Sequence, residues 1–492
     1  MESFRQYREL AVAANRKLSS RAAMRQRQTS ESSESTEGIF TVDFDGPTDP
    51  LNPRNWPYLR RTLVTISLGS IGFLVGVAGA IDSPVLYRAA EEFNVSEVSE
   101  SFATGLFLIG IGTGALIFGP LSELYGRNSA YIGSLAVYML FIMGAGLSRK
   151  LASQLGCRFF AGFFGEAVLS TSIAFSGPVF GPLLGGFIAD SESLSWKWTE
   201  WITLMMSGVA LTLIGLFQPE TYAPVLLSWK AKHLRKLSGD NRYRTFSERA
   251  QKASLRAKLY LTFCRPFKML FLEPTIMLWT LYLTFVYMVN FGFLSLYPFV
   301  FGDVYKQSTR TTGIIFLSLS VGNLLCSIPI TLLDYRRVKR QIDQQKLQEG
   351  NQGAVRQLPE SRLIYAELGA PAIPISLFWM AWTTYTSISV WSSIFASVLF
   401  GYGYIAVFLS TSEYLVDVYE EYAASALTMV TLVRYVLSGI TVVVVIPIVR
   451  AIGVHWTLSC LGCIGLVFMP APYLFHIYGP SIRARSKITA QD

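Results

Sequence analysis

Charge is scarce in this chain. Only 15% of its 492 residues are Asp, Glu, Lys or Arg, against about 25% in an average soluble domain. Histidine is scarcer still: His233, His455 and His476 stand far apart, so no catalytic metal cluster is readable. Five cysteines, Cys157, Cys264, Cys326, Cys460 and Cys463, are scattered through or beside apolar segments, which excludes a readable disulfide framework. Cys460 and Cys463 form a C-x-x-C inside an apolar run without a second ligand pair, and they read as small core residues one turn apart. No convergent nucleophile, metal or cofactor motif is present, so an enzyme is not expected. The net charge of +9 raises nucleic acid as a partner, but the basic residues fall between hydrophobic runs, where the positive-inside rule places them. Nucleic acid is therefore not an expected partner.

What the chain has in abundance is apolar surface: 51% of residues are hydrophobic and 14% aromatic. A spanning helix needs about 20 mostly apolar residues to cross about 30 Å of hydrocarbon, and such runs recur from Thr62 to Phe475. They are too long and continuous for barrel strands, so the fold class is an all-α membrane bundle. Candidate spans lie near 62–82, 102–119, 129–147, 151–190, 201–218, 274–300, 311–333, 363–383, 389–411, 423–449 and 454–477. Residues 1–60 are polar, basic from Arg5 to Arg27, and carry a Ser/Glu run at 30–38, which predicts a disordered cytosolic tail. Residues 61–218 form an expected N-terminal helix bundle, 219–272 a central loop, 273–478 a C-terminal bundle and 479–492 a second tail. The central loop carries twelve Lys or Arg from Lys230 to Lys268 against Asp240 and Glu248, which marks it as cytosolic. The basic segments at 335–362 and 481–487 belong on the same side, so both termini are expected in the cytosol.

The stretch 151–190 is anomalous. Counted as one crossing it puts the basic central loop outside, against its charge; counted as two, about 40 residues at 1.5 Å each leave nothing for a turn. The charge pattern favours two compressed, incomplete crossings with a break near Phe175-Ser176-Gly177-Pro178. The acidic loop 91–100 suits the outside and contains the sequon Asn94-Val95-Ser96, a candidate glycosylation site at Asn94.

Between the second and third spans stands GPLSELYGRN, residues 119–128. It resembles the signature G-x-L-x-D-x-x-G-R-[KR] of the major facilitator superfamily, with Glu123 for the commoner Asp and Asn128 for the usual basic residue. Gly119 and Gly126 permit a tight turn, and Glu123 and Arg127 place opposite charges near helix ends. The resemblance implies a conformational latch. GPVFGPLLGG, residues 177–186, looks like the antiporter motif of drug:proton exporters. Gly177, Gly181 and Gly185 recur at i, i+4 and i+8 as a smooth packing ridge, with Gly186 beside it and bends at Pro178 and Pro182. WKWTEW at 196–201, PETYAPVLL at 219–227, DPLNPRNWP at 49–57, PESRL at 359–363, AASALTMVTLVR at 423–434 and YGPSIRARS at 478–486 resemble the fungal twelve-helix drug:proton antiporters. CRFFAGFFGEAVLSTS runs almost directly into IAFSGPVFGP, so the chain lacks about twenty residues of the family pattern, roughly one membrane crossing.

The resemblance implies two six-helix bundles around a central cavity, twelve helices with the fourth and fifth truncated or merged. It also implies proton-coupled efflux of small hydrophobic or amphipathic molecules, such as a drug, toxin, secondary metabolite or polyamine, from a monomer in the plasma membrane. The energy source would be the proton gradient, with no cofactor; the partners would be substrate, protons and the lipid bilayer. Uptake on the same fold, and a transport-inactive or receptor-like variant, stay open beside it. Ionisable residues inside a membrane are functional candidates by default. Arg158 and Glu166 lie eight residues apart, about 80° around a helix and about 12 Å along it, near enough to share a cavity face. In the family Arg158 is the residue implicated in proton coupling. Asp82 and Glu413 close spans as interfacial caps or cavity acids, and Arg434, flanked by apolar residues, needs a partner or a cavity. Tyr287, Asn290, Tyr402 and Tyr404 are the expected cavity lining.

Overall fold

The structure is a computed structural model and describes residues 2–27, 40–46, 49–166, 176–246, 248, 255–347 and 359–483. Nine helical stretches among the described residues are long and apolar enough to cross a bilayer, and the last, Ala423–Arg483, bends at Gly453 (φ 80°) and counts as two. The first half comprises α2 (Tyr58–Ala78), the short α3 (Leu86–Phe93), α4 (Glu97–Tyr125), α5 (Arg127–Gly146), α6 (Leu151–Gly165), α7 (Gly177–Asp190) and α8 (Trp198–Phe217). The second half comprises α11 (Pro274–Tyr297), α12 (Thr309–Ile315), α13 (Leu317–Leu347), α14 (Ile364–Gly369), α15 (Ala372–Thr383), α16 (Val390–Tyr419), α17 (Ala423–Phe468) and α18 (Ala471–Arg483). With α6 and α7 added, the described helices make the twelve expected.

Glycine sets the helix approaches. A Cβ on Gly313 of α12 would stand 2.5 Å from the Pro182 carbonyl of α7, and one on Gly105 of α4 would stand 2.7 Å from the Gly439 carbonyl of α17. These two contacts join the halves. The ridge Gly177, Gly181, Gly185 packs on α2 and the turn after it: a Cβ at Gly181 would meet the Val77 carbonyl at 2.7 Å, and the other two face the Phe73 and Ile81 carbonyls.

The anomaly at 151–190 resolves into two half-length helices. At 1.5 Å per residue, α6 and α7 are each about 22 Å long, short of the ~30 Å core; residues 167–175, including Phe175 of the expected break, lie outside the described residues. Both helices line only one half of their neighbours. Gly162 packs on Phe107, Gly165 on Val75 and Tyr138, and Gly177 on Phe73 and Gly76. The stretches of α2 and α5 nearer Tyr58 and Arg127 run beyond them. The described lengths of both helices therefore lie in the half of the bundle nearer Asn94, and helix ends at membrane depth are tolerated where protein or a cavity surrounds them.

At the opposite end, called the latch end for residues 119–128, part of the tail expected to be disordered is helical, while its Ser/Glu run at 30–38 lies outside the described residues. Residues Glu2–Arg27 form α1, which lies on α9 (Ala223–Ser238) with Leu10, Ala14, Ala231 and Leu234 buried. Strand β1 (Phe40–Val42) pairs in parallel with β2 (Tyr243–Thr245), and α10 (Leu255–Leu272) leads into the second half. Lys230 is completely buried, its Nζ donating to Asp45 Oδ2 at 2.9 Å and to the Asp43 carbonyl at 3.0 Å. Composition alone hides this docking because the apolar residues of α1 are few and meet Trp229, His233 and Leu234 of α9 only in the fold. Cys460 and Cys463 also differ from expectation: both are exposed on the outer face of α17 rather than packed in the core.

Candidate functional site

Three spaces follow one another along α4 and α17. Ala115, Phe118 and Arg434 border a latch-end cavity of about 630 Å³. Leu108, Ile111 and Tyr435 border a constriction of about 10 Å³, and Thr104, Val442 and Arg450 border a second cavity of about 720 Å³ at the Asn94 end. Tyr287, Phe291 and Tyr404 complete the constriction, with Pro178 at the start of α7. Of the four residues expected to line a cavity, Tyr287 and Tyr404 therefore sit at the centre. Asn290 is buried and Tyr402 is half-buried toward α13, and neither borders these three spaces.

Arg434 lies in the wall of the latch-end cavity, only 5% exposed. Its guanidinium carbon stands 4.4 Å from the ring centre of Tyr287, 4.9 Å from Phe408 and 5.2 Å from Tyr435, so three π-systems stabilise the cation. Its Nε has no hydrogen-bond partner among the described residues. Glu166 borders the same cavity at the end of α6, where the chain leaves the helix, and its Oε2 is likewise buried without a partner. Nearer the mouth, Arg362 binds both acids of α16, at 3.1 Å to Glu413 and 3.1 Å to Asp417. Glu413 is thus an acid of the cavity mouth held by an arginine.

Arg158 and Glu166 do not share a cavity face. Arg158 points into a closed cluster on the Asn94 side, paired with Asp82, 2.8 Å from Glu200 Oε1, and donating at 2.7 Å to the Ala78 carbonyl. Arg158 and Glu200 are each 1% exposed. The turn of α6 between the two residues sends one toward α2 and α8 and the other toward α17. Asp82 is accordingly an ion-pair partner, not an interfacial cap. Beside it Gln154 donates to Glu100 at 2.8 Å. Glu200, missed in the sequence, stands in WKWTEW as an acid beside an apolar run, and nothing in the sequence pairs it with Arg158, 42 positions earlier.

The latch is built around a residue the motif does not contain. Gly126 joins α4 to α5 at φ 94°, a conformation that glycine adopts without strain. The carboxylate of Glu220, from PETYAPVLL, accepts backbone N–H bonds from Arg127 (3.2 Å) and Asn128 (3.1 Å) at the start of α5. It also accepts from Thr221 and Tyr222 (both 2.9 Å), so one acid satisfies the start of α5 and fixes the turn that leads into α9. Asn128, the departure from the basic consensus, donates to the Gln218 carbonyl at 3.0 Å and to Ser3 at 2.6 Å. Gln6 of α1 exchanges two bonds with the Glu220 backbone, at 2.8 and 3.2 Å. Arg127 lies over the Tyr222 ring at 5.6 Å, and Gly119 borders the cavity; the side chain of Glu123 lies outside the described residues. The antiporter motif supplies packing surface, with Pro182 and Gly186 against Gly313 of α12. Asn94 is exposed and ends α3 at φ 54°, and Ser96 caps α4 by accepting from the Ser99 N–H at 3.1 Å.

Comparison with known proteins decides the family. Residues 169–443, more than half of the chain, match the model of the Major Facilitator Superfamily. The chain belongs to this superfamily. It is 43% identical over 476 residues to the MFS-type transporter kojT of Aspergillus flavus, covering 92% of this chain and 83% of that one. It is 32% identical to the citrinin biosynthesis cluster MFS transporter of Monascus ruber (92% and 93% covered) and 31% identical to the ascochitine biosynthesis cluster MFS transporter of Didymella fabae (91% and 89%). The kojT alignment runs over 476 residues yet takes up 92% of this chain's 492, so it contains positions for which this chain has no residue. Among solved structures, the xylose transporter XylE of E. coli superposes with a TM-score of 0.54 at 15% identity, covering 84% of this chain and 98% of that one. The human organic anion transporter MFSD10 superposes at 0.52 and 14%, covering 85% and all of that chain; both likenesses show the fold. The chain is a multi-pass membrane transporter of the facilitator fold and not an enzyme.

Proposed function

We propose that this facilitator exports small hydrophobic or amphipathic organic molecules in exchange for protons. The observation that carries the reading is Glu166, a carboxylate in the cavity wall with one buried, unpartnered oxygen. Such a group takes either a proton or a hydrogen-bond donor of the substrate, and competition for one acceptor couples the two flows. Arg158 stays in its closed cluster and holds α6 to α2 and α8. The relatives named for biosynthesis clusters favour a metabolite as cargo. On this reading the latch end, with both termini and the basic segments, faces the cytosol and Asn94 faces outside, the orientation that the positive-inside rule favours. A proton gradient pointing inward, as at the plasma membrane, would then drive a monomer without a cofactor. Flux of a candidate metabolite into proteoliposomes at imposed pH gradients tests this. Efflux should follow the gradient and reverse with it, and Glu166→Gln should transport without responding to pH. Flux indifferent to the gradient in the unmodified protein would leave facilitated uptake as the better reading.

The half-length α6 and α7 favour a second reading, a chain that binds but does not transport. Restoring a full-length crossing between Glu166 and Gly177 should raise efflux many-fold if the shortening disables transport, and change it little if it does not.

A further inference from the structure

Helix α7 is a wedge between the two halves. Its Gly177 faces the Phe73 carbonyl of α2 and its Phe180 ring stands 5.4 Å from that of Phe73, while its Pro182 carbonyl and Gly186 meet Gly313 of α12. Both neighbours continue past the start of α7 toward the latch end. On α2, Ile66, Thr62 and Leu59 stand 7, 11 and 14 residues before Phe73, and at 3.6 residues per turn each returns to the face that meets α7. On the other side α12 runs on into α13 as one span, and Leu324 and Thr331, 11 and 18 residues after Gly313, return to its α7 face with Ile328 beside them. Leu59, Ile66, Leu324 and Ile328 are each more than half exposed. No residue of α2 from Tyr58 to Leu68 is buried, whereas from Gly69 onward most are. Thr62 and Thr331 donate to carbonyls of their own helices, at 3.0 Å to Tyr58 and 2.8 Å to Ser327, so both walls suit hydrocarbon.

Charge at the latch end of this groove selects the occupant. Arg61 donates at 3.2 Å to the Arg54 carbonyl, just before α2; both arginines are exposed, and neither pairs with an acid among the described residues. Across the groove, α13 carries Arg336, Arg337, Lys339 and Arg340 in the turns that follow Leu333. From Arg61 to Phe73 α2 rises about 18 Å, close to the ~15 Å of hydrocarbon in one leaflet. We propose that an anionic phospholipid seats in the groove between α2 and α13 beyond the start of α7, with its acyl chains on Leu59, Ile66, Leu324 and Ile328 and its headgroup at Arg54 and Arg61. A second copy of the chain using the same surface would set arginine against arginine. The lipid completes the seam between the halves in the leaflet that α7 does not reach, whatever the cargo and the sense of transport.

The full-length protein is taken from nanodiscs of mixed phosphatidylcholine and phosphatidylserine, and the lipid that stays bound is identified by native mass spectrometry. Phosphatidylserine should be retained about tenfold above its share of the bilayer, a preference within reach of two basic residues at an anionic surface. Arg54→Gln with Arg61→Gln should lower it to that share, and since neither arginine bears an ion pair the fold should persist. Arg54→Lys with Arg61→Lys should keep most of the preference, and Lys232→Gln, at an exposed lysine of α9, should leave it whole. Restoring a full-length crossing between Glu166 and Gly177 should expel the lipid with both arginines in place, which separates a seat in the groove from attraction to a basic surface. Retention at the bilayer share in the unmodified protein, an equal loss in Lys232→Gln, or lipid that survives the restored crossing overturns the proposal. A dimer of the chain that leaves the nanodisc without lipid overturns it as well.

Discussion

Two buried arginines, Arg158 and Arg434, sit in the same membrane bundle and differ in what surrounds them. Arg158 is enclosed by acids: Asp82 and Glu200 pair with its guanidinium, the Ala78 carbonyl accepts from it, and a charge so matched joins three helices. Arg434 is held by ring faces, which stabilise its charge without consuming all of its donors, and it borders an open volume of about 630 Å³. Intramembrane charge alone therefore does not mark a transport site. A charge paired with acids on neighbouring helices holds those helices together, whereas one held by ring faces stands in the wall of an open cavity.

The sharpest way to break this comparison is to remove Arg158. Arg158→Met leaves Asp82 and Glu200 as neighbouring buried carboxylates, and breaking a buried pair from one side costs about 3–5 kcal/mol. The variant should lose most of its monodisperse peak in detergent, and adding Asp82→Asn and Glu200→Gln should restore much of it. Glu166→Gln, made at an acid with no direct ion pair among the described residues, should keep the midpoint of the unmodified protein. Equal stability of Arg158→Met and Glu166→Gln would erase the distinction.

The long helices were legible because about twenty apolar residues in a row admit few other solutions. The Gly177, Gly181, Gly185 ridge was legible because its period is that of one helix face. Arg434 was legible from its apolar flanks. The pairing of Arg158 with Asp82 and Glu200 was not, since no feature of one sequence says which of several intramembrane charges meet across helices. Nor was the role of Glu220. Read in the chain it is one acid before a helix, and only the fold brings the start of α5, 92 positions away, onto the same carboxylate. The docking of α1 is hidden for a related reason: it depends on Ser3 and Gln6 meeting Asn128 and Glu220, contacts invisible to composition.

Glu220 offers a milder test, because the latch joins backbone ends rather than opposing buried charges. Glu220→Ala strands four N–H groups, of which water can reach some, so a loss of about 1–3 kcal/mol is expected. The loss should be local. Trypsin should cut within α1 sooner than in the unmodified protein, while the Arg158 cluster, at the other end of the bundle, should keep its stability. Faster digestion of α6 as well would mean that the two regions are one cooperative unit.

The smallest effect concerns the same cap and depends on pH. His233 of α9 stacks on Tyr7 of α1, ring centres 4.3 Å apart. Burial holds its pKa below the usual histidine value, and the nearby Lys236 lowers it further, against a rise from a hydrogen bond with the Tyr7 backbone. A base whose folded pKa is depressed stabilises the docked state fully above its unfolded value of about 6.5 and loses that contribution as pH falls through the folded value. Hydrogen exchange of α1 amides, corrected for intrinsic rate, should therefore accelerate between about pH 7 and about pH 5, and His233→Phe should flatten the profile while keeping α1 docked through the Tyr7 ring. Because Arg158 and its acids lie at the far end of the bundle, exchange in α6 should not follow this titration; if it does, protonation of the cap is felt across the whole first half.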